Sequence, residues 1–276
     1  MRRLTKREET RMSDRPNVSY GDRQVCLSNE ILRTVVGSGV HGIAIEGTDD
    51  HDEMGIFIEP RSAVYGTDKP MDHHIWRTQP EGARSGPGDV DYVGYSLRKY
   101  LRLAAKGNPT ALLPLFAPDT DVLVNTRIGQ SLREIRNVFL TQEAVYRFLG
   151  YMHAQHERML GGGKRNRVPN RPELVEKYGW DVKYGAHALR LSFQGREIAE
   201  TGTLTLPMPK DTRDIVLSVK RGEISRDDVD GMIRANTVLI KRTLEQSILP
   251  EHPYWPTINV WSIQAHEQHW HAGRRA

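Results

Sequence analysis

At 276 residues, with 38% hydrophobic and 27% charged side chains, the chain is long enough to enclose a proper core in one large or two modest domains. The formal charge of +4 and pI near 9.1 suit a polyanionic partner, and the single cysteine, Cys26, excludes an intrachain disulfide or a cysteine-based zinc site. No run approaches the ~20 apolar residues that span a bilayer and the charged N-terminus lacks a signal-type apolar region, so a cytoplasmic protein with no membrane partner is expected.

Residues 1–22 are charged throughout and read as a basic flexible tail. Arg33–Val36 and Met54–Ile58 read as short buried strands. Between them lies V-G-S-G-V-H-G-I-A-I-E-G-T-D-D-H-D-E. Strand side chains alternate, so Asp50 and Asp52 project to one side while His51 points away. Two carboxylates on one rigid edge can hold a hard divalent cation such as Mg²⁺ or Mn²⁺, which binds phosphate oxygens in turn. Gly37 lets backbone approach a ligand closely, and Ser38 adds a hydroxyl beside exposed N–H groups suited to phosphate.

Gly37, Gly39 and Gly42 also satisfy G-x-G-x-x-G, with Glu59 about 20 residues on, as a dinucleotide-binding fold requires. That fold needs a helix of several turns after the glycines. Ile43 to Asp50 leaves room for only about two turns before turn residues and acids intervene, so the dinucleotide reading is rejected.

Met71 to Asp89 is rich in Gly, Pro and charge and reads as a loop or insertion, which leaves His73 and His74 as surface or packing histidines. Asp91–Tyr95 is the candidate third strand, and it offers a third acid. Asp89 would share the face of Asp91 if the strand began earlier, so spacing alone leaves the two open. Ser96 is placed to N-cap a helix over Leu97–Lys106, which Gly107-Asn108-Pro109 stops. From about Thr126 onward helical spacing dominates, over Ile128–Leu140, Gln142–Leu160, Asp181–Gln194 and Asp227–Leu249. Lys183, His187 and Arg190 fall at i, i+4 and i+7, one cationic stripe, with Val182, Ala186 and Leu189 on a neighbouring inward face. Gly161 to Arg171 is a basic loop able to touch phosphate, without the Lys-Ser/Thr ending of a P-loop. His266, His269 and His271 lack zinc-protease spacing and read as packing or surface groups.

Gly37-Ser38 followed by Asp50-His51-Asp52 resembles the signature of the DNA polymerase beta nucleotidyltransferase superfamily. G-S-G-V-H-G through D-D-H-D-E-M-G-I-F-I-E-P resembles its RlaP-type branch, linked to RNA repair. Tyr95 to Leu103 with Lys106-Gly107-Asn108-Pro109-Thr110 is similar to that branch's helix after the core sheet. Gly179-Trp180-Asp181-Val182-Lys183 and Ala186 to Leu191 are similar to its helical-domain motif. The sequence departs from the branch at Asp49, usually Ser, and at His51, usually apolar.

The resemblance implies an α+β fold: a small mixed β-sheet nucleotidyltransferase core with flanking helices over residues 23–125, then a mainly helical domain over 126–276. It implies transfer of a nucleoside monophosphate from a nucleoside triphosphate to an acceptor hydroxyl, with RNA the favoured acceptor. Catalysis and metal binding then fall to Asp50, Asp52 and Asp91, the last favoured over Asp89 by its distance from the Tyr95-Ser96-Leu97 motif. Nucleotide binding falls to Gly37, Ser38, Lys183, His187 and Arg190. A protein or small-molecule modifier and a non-catalytic binding module stand as the alternatives. A module without turnover has no need to gather mutually repelling carboxylates.

Overall fold

The computed structural model describes residues 17–47, 50–80, 83, 85–162 and 171–272. Six strands form one mixed sheet: β1 (Asn17–Tyr20), β2 (Glu30–Val35), β3 (His51–Phe57), β4 (His73–Pro80), β5 (Val90–Ser96) and β6 (Val122–Asn125), in the spatial order β1-β4-β5-β3-β2-β6. β3 and β5 pair in parallel, with His51 opposite Val90 and Phe57 opposite Ser96; the other pairings are antiparallel. β3 passes from an exposed, acidic beginning to a fully buried end. It therefore brings its carboxylates to the rim of the sheet while its apolar half anchors them in the core. The antiparallel pairing of β2 with β3 is incompatible with a dinucleotide-binding βαβ unit.

Two segments depart from the sequence expectations. The stretch expected to be a loop contains β4, whose alternating Ile75, Arg77 and Gln79 share the face of Asp91 through the pairing of Arg77 with Asp91. Asn17–Tyr20, expected within the tail, form an edge strand against β4, satisfying backbone groups that would otherwise leave β4 as an open edge. Residues 1–16 lie outside the described residues, as do Asp49 and residues 163–170 of the basic loop.

Helices α1 (Arg23–Ser28), α2 (Gly37–Val40) and α3 (Arg61–Tyr65) sit among the early strands, and α4 (Leu97–Ala105) follows β5 directly. Ser96 occupies the N-cap position of α4 but makes no capping bond, because it is the last residue of β5 and its hydroxyl is buried in the sheet. Asn108 does more than end α4: its side-chain oxygen accepts from the N–H groups of Thr110 and Ala111, so it caps α5 (Pro109–Phe116), with Pro109 at a first-turn position that needs no donor.

The remaining helices are α6 (Arg127–Glu134), α7 (Gln142–Met159), α8 (Pro172–Tyr178), α9 (Val182–Thr201), α10 (Lys210–Lys220), α11 (Arg226–Leu244) and α12 (Trp255–Ala272). One apolar core runs from Ile31 and Ile56 under the sheet through Leu112 and Phe148 to Leu189 and Ile240. On the other face of the sheet, Cys26, Phe57 and Tyr92 form a small second cluster. There the Tyr92 hydroxyl donates to Glu30 Oε1 at 2.8 Å, and Arg33 holds Glu30 Oε2 from two nitrogens. Burial raises the Glu30 carboxyl above its ordinary range.

α9 is the central helical element, and its small residues let neighbours approach. A Cβ at Gly185 would lie 2.3 Å from a ring carbon of the buried Trp180. Gly185→Ala is therefore expected to lower stability by about 1–3 kcal/mol, the usual cost of overpacking, despite the better helix propensity of Ala. Urea denaturation checks this, and an unchanged midpoint would contradict the packing of Trp180 on Gly185.

Candidate metal and nucleotide site

Asp50 and Asp52 come from β3 and its approach, and Asp91 from β5, where it stands directly opposite Asp52. Each offers an oxygen within 4.8 Å of the other two, and all three are half-buried. Among the described residues this is the only group of three or more His, Cys, Asp or Glu side chains converging in this way. An all-oxygen carboxylate set at partial exposure fits a hard divalent cation, and carboxylates gathered this closely repel one another without one. The three acids could together hold a divalent metal ion.

Asp91 is held from β4 and the turn that follows. Gln79 Nε2 donates to its Oδ1 at 2.9 Å, Ser85 Oγ donates to its Oδ2 at 2.9 Å, and Arg77 Nε lies 3.7 Å from Oδ1. Asp89 is engaged elsewhere: Thr78 Oγ1 donates to its Oδ1, and the Gly86 N–H to its Oδ2, both at 2.9 Å. It closes the turn into β5 and stands outside the acid group.

Gly37 begins the single helical turn α2 with φ of +62°, a conformation that L side chains rarely adopt. A Cβ there would lie 1.9 Å from Asp52 Oδ2. The Val36 N–H donates to the Asp52 carbonyl at 2.9 Å, which fixes the turn to the acid strand. Ser38 is half-buried beside it, and its carbonyl accepts from the Ile43 N–H at 3.1 Å.

The cationic stripe divides on folding. Val182, Ala186 and Leu189 are buried as the spacing predicts, and Lys183 is exposed at the start of α9. Arg190 Nη1 donates to Nε2 of the buried His41 at 2.9 Å and to Gln194 Oε1 at 2.8 Å. It thus reaches the loop that carries Gly37 and Ser38. His41, inside the G-S-G-V-H-G stretch, is a linking residue that sequence reasoning missed; its only signal was its place in that motif. Burial and the Arg190 charge hold His41 well below the ordinary histidine range, so it stays neutral and can accept from the guanidinium. Burial likewise pushes Arg190 down to about 10.

Burial, then the charges of Arg190, Arg171 and Arg158, push His187 down to about 3. It is therefore neutral near pH 7 and does not carry the charge expected of it. The folded chain resists protonation here while the unfolded chain takes up the proton at its ordinary value of 6.5, so stability is lost as pH falls from 6.5 toward 3. The thermal midpoint should fall between pH 6.5 and about 5, above most carboxylate titration, and His187→Gln should reduce that fall. An identical pH slope in the variant would contradict the assignment.

The other candidate groups are accounted for by packing. His266 Nδ1 contacts the Ser262 carbonyl at 2.7 Å and His269 Nε2 contacts Asn29 Oδ1 at 2.9 Å. His73 and His74 lie in β4, with His74 buried. Glu59, the dinucleotide decoy, is fully buried and held by Arg98 at 2.8 and 3.2 Å. No described helix is long and apolar enough to cross a membrane.

Comparison with curated proteins gave no match. Residues 18–235, most of the chain and all three acids, match the RlaP family, the RNA repair pathway DNA polymerase beta family. Its superfamily comprises nucleotidyltransferases, which typically use divalent metals. The chain, with its strand-borne acids beside a Gly-Ser turn, belongs to the RlaP family.

Proposed function

We propose that this protein transfers a nucleoside monophosphate from a nucleoside triphosphate to an acceptor hydroxyl, with RNA the favoured acceptor, and releases pyrophosphate. The observation that carries this reading is the convergence of Asp50, Asp52 and Asp91 within 4.8 Å beside the Gly37 turn. The acceptor oxygen forms a bond to the α-phosphorus as the bond from that phosphorus to the pyrophosphate oxygen breaks. Asp50, Asp52 and Asp91 would hold Mg²⁺ or Mn²⁺, which when bound lowers the pKa of the hydroxyl and stabilises charge on the attacking and leaving oxygens. Asp91, oriented by Gln79 and Ser85, faces the acceptor side and helps remove the hydroxyl proton. Gly37 and Ser38 bind the β and γ phosphates. Lys183 supplies charge from the helical side, His187 a polar ring, and Arg190 holds the phosphate loop through His41 while adding positive potential.

The test is incubation with each α-phosphate-labelled nucleoside triphosphate and Mg²⁺ or Mn²⁺, against separate pools of RNA, DNA and protein. Label on RNA is expected. Label on protein alone would overturn the acceptor, and label nowhere, with every metal and pool, would overturn the transfer.

A further inference from the structure

The outer face of α7 carries a groove of about 720 Å³ whose lining includes Tyr146, Arg147, Gly150, Tyr151, Ala154 and Arg158. Tyr146 is 58% exposed and Tyr151 38%. These residues recur at helical spacing opposite the buried stripe of Ala144, Phe148 and Met152, so they form one continuous exposed face. Gly150 and Ala154 lower the floor, and a Cβ at Gly150 would meet nothing within 4 Å.

The cations are held in place: Arg147 Nε donates to the Lys106 carbonyl at 3.3 Å, and the Arg158 guanidinium lies over the Tyr184 ring at 5.7 Å. The Tyr151 hydroxyl accepts from Asn108 Nδ2 at 3.1 Å, which fixes its ring. Open floor, exposed tyrosine rings and positioned guanidinium groups match a strand of unstacked bases joined by phosphates. The lining offers no aliphatic side chain larger than Ala, so an apolar peptide helix has little to bury against.

The face adjoins β5 and α9, the elements that carry Asp91 and Lys183. Tyr151 stands near Tyr95, whose hydroxyl burial and then Tyr151 push up, and which lies on the same face of β5 as Asp91, four residues further along. Arg158 at the other end meets Tyr184, next to Lys183 on α9. From residue 143 to 158 the helix runs about 22 Å, longer than a mononucleotide needs.

We propose that this face of α7 binds a single-stranded RNA acceptor, with Tyr146 and Tyr151 stacking bases and Arg147 and Arg158 contacting phosphates. The proposal rests on the transfer reading for its choice of acceptor, although binding is measurable without turnover. Fluorescence anisotropy of the full chain with a short labelled single-stranded RNA, and with the same strand in a duplex, tests it.

The single strand should bind at least about tenfold more tightly than the duplex, whose bases are hidden. Tyr146→Ala and Arg158→Gln should each weaken binding by about five- to tenfold with unchanged thermal midpoints, and Arg158→Gln should also flatten the salt dependence. Asp52→Asn should bind undiminished, and excess ATP should not displace the strand. Wild-type affinity in both variants, equal binding of duplex, or displacement by ATP would overturn the proposal. If RNA is labelled by the enzyme yet the variants bind normally, the surface is wrong and the transfer stands. Loss of strand binding in the variants of a protein that labels no acceptor leaves this surface standing and refutes the transfer.

Discussion

Asp52→Asn should leave a folded chain that transfers nucleotide slower by about three orders of magnitude or more, because metal stabilisation of developing charge supplies several kcal/mol and each ~1.4 kcal/mol is tenfold in rate. Asp52 lies between the other parts of the site: it opposes Asp91 across the parallel pair, and its carbonyl accepts from the Val36 N–H beside the Gly37 turn. The amide keeps the shape and removes the charge. Three carboxylates with oxygens within 4.8 Å repel one another, so the metal-free variant should melt at the same temperature as the wild type or higher. Its midpoint should no longer rise when Mg²⁺ is added, since a ligand stabilises only what it binds. Steady-state transfer and thermal melts with and without Mg²⁺ check the two halves separately.

Gly37→Ala should have the next largest effect, without altering any charge. The added Cβ would collide with Asp52 Oδ2 at 1.9 Å and would also come within 3.0 Å of Asp52 Cβ, so the carboxylate cannot escape by a small rotation alone. The left-handed φ of +62° adds strain of about 1–2 kcal/mol for a residue with a side chain. A displacement of about 1 Å at reacting groups costs on the order of a hundredfold in rate, and that loss is expected here together with a lower melting temperature. Gly39→Ala is the matched control: its Cβ would meet only a Val35 methyl at 3.0 Å, and its φ is not positive. Kinetics of both variants should separate them clearly, and equal activities would contradict the role given to Gly37.

The acid pair at the start of β3 was legible because strand alternation alone places Asp50 and Asp52 on one side; Gly37 was singled out for close approach to a ligand, whereas its close neighbour in the structure is the Asp52 side chain. The third acid was not legible from spacing. Whether Asp89 or Asp91 faces the site depends on where β5 begins, and that is set by the Gly86–Asp89 turn and by Thr78, which donates to Asp89 and accepts from the Val90 N–H. Thr78 belongs to β4, whose Ile75, Trp76 and Thr78 carried strand propensity hidden between charged and Gly/Pro-rich flanks. Missing that strand also hid Gln79, Arg77 and Ser85, which orient Asp91.

The helical spacing over residues 142–160 and 181–194 corresponds to α7 and α9. α12 was missed because Val260 and Ile263 stay exposed while His266 is buried, so its apolar residues trace no clean stripe. The link from Arg190 to His41 joins positions 149 residues apart. Local pattern carries no information about such a pairing.

Binding of Mn²⁺ followed by electron paramagnetic resonance, in the presence of a non-hydrolysable nucleoside triphosphate, tests the acid site most directly when wild type is set beside Asp52→Asn, Asp91→Asn and Asp89→Asn. Site-bound Mn²⁺ should be seen in the wild type and in Asp89→Asn and be lost in the other two. Retention in Asp52→Asn and Asp91→Asn, or loss confined to Asp89→Asn, would contradict the assignment of the metal site and of the transfer chemistry built on it.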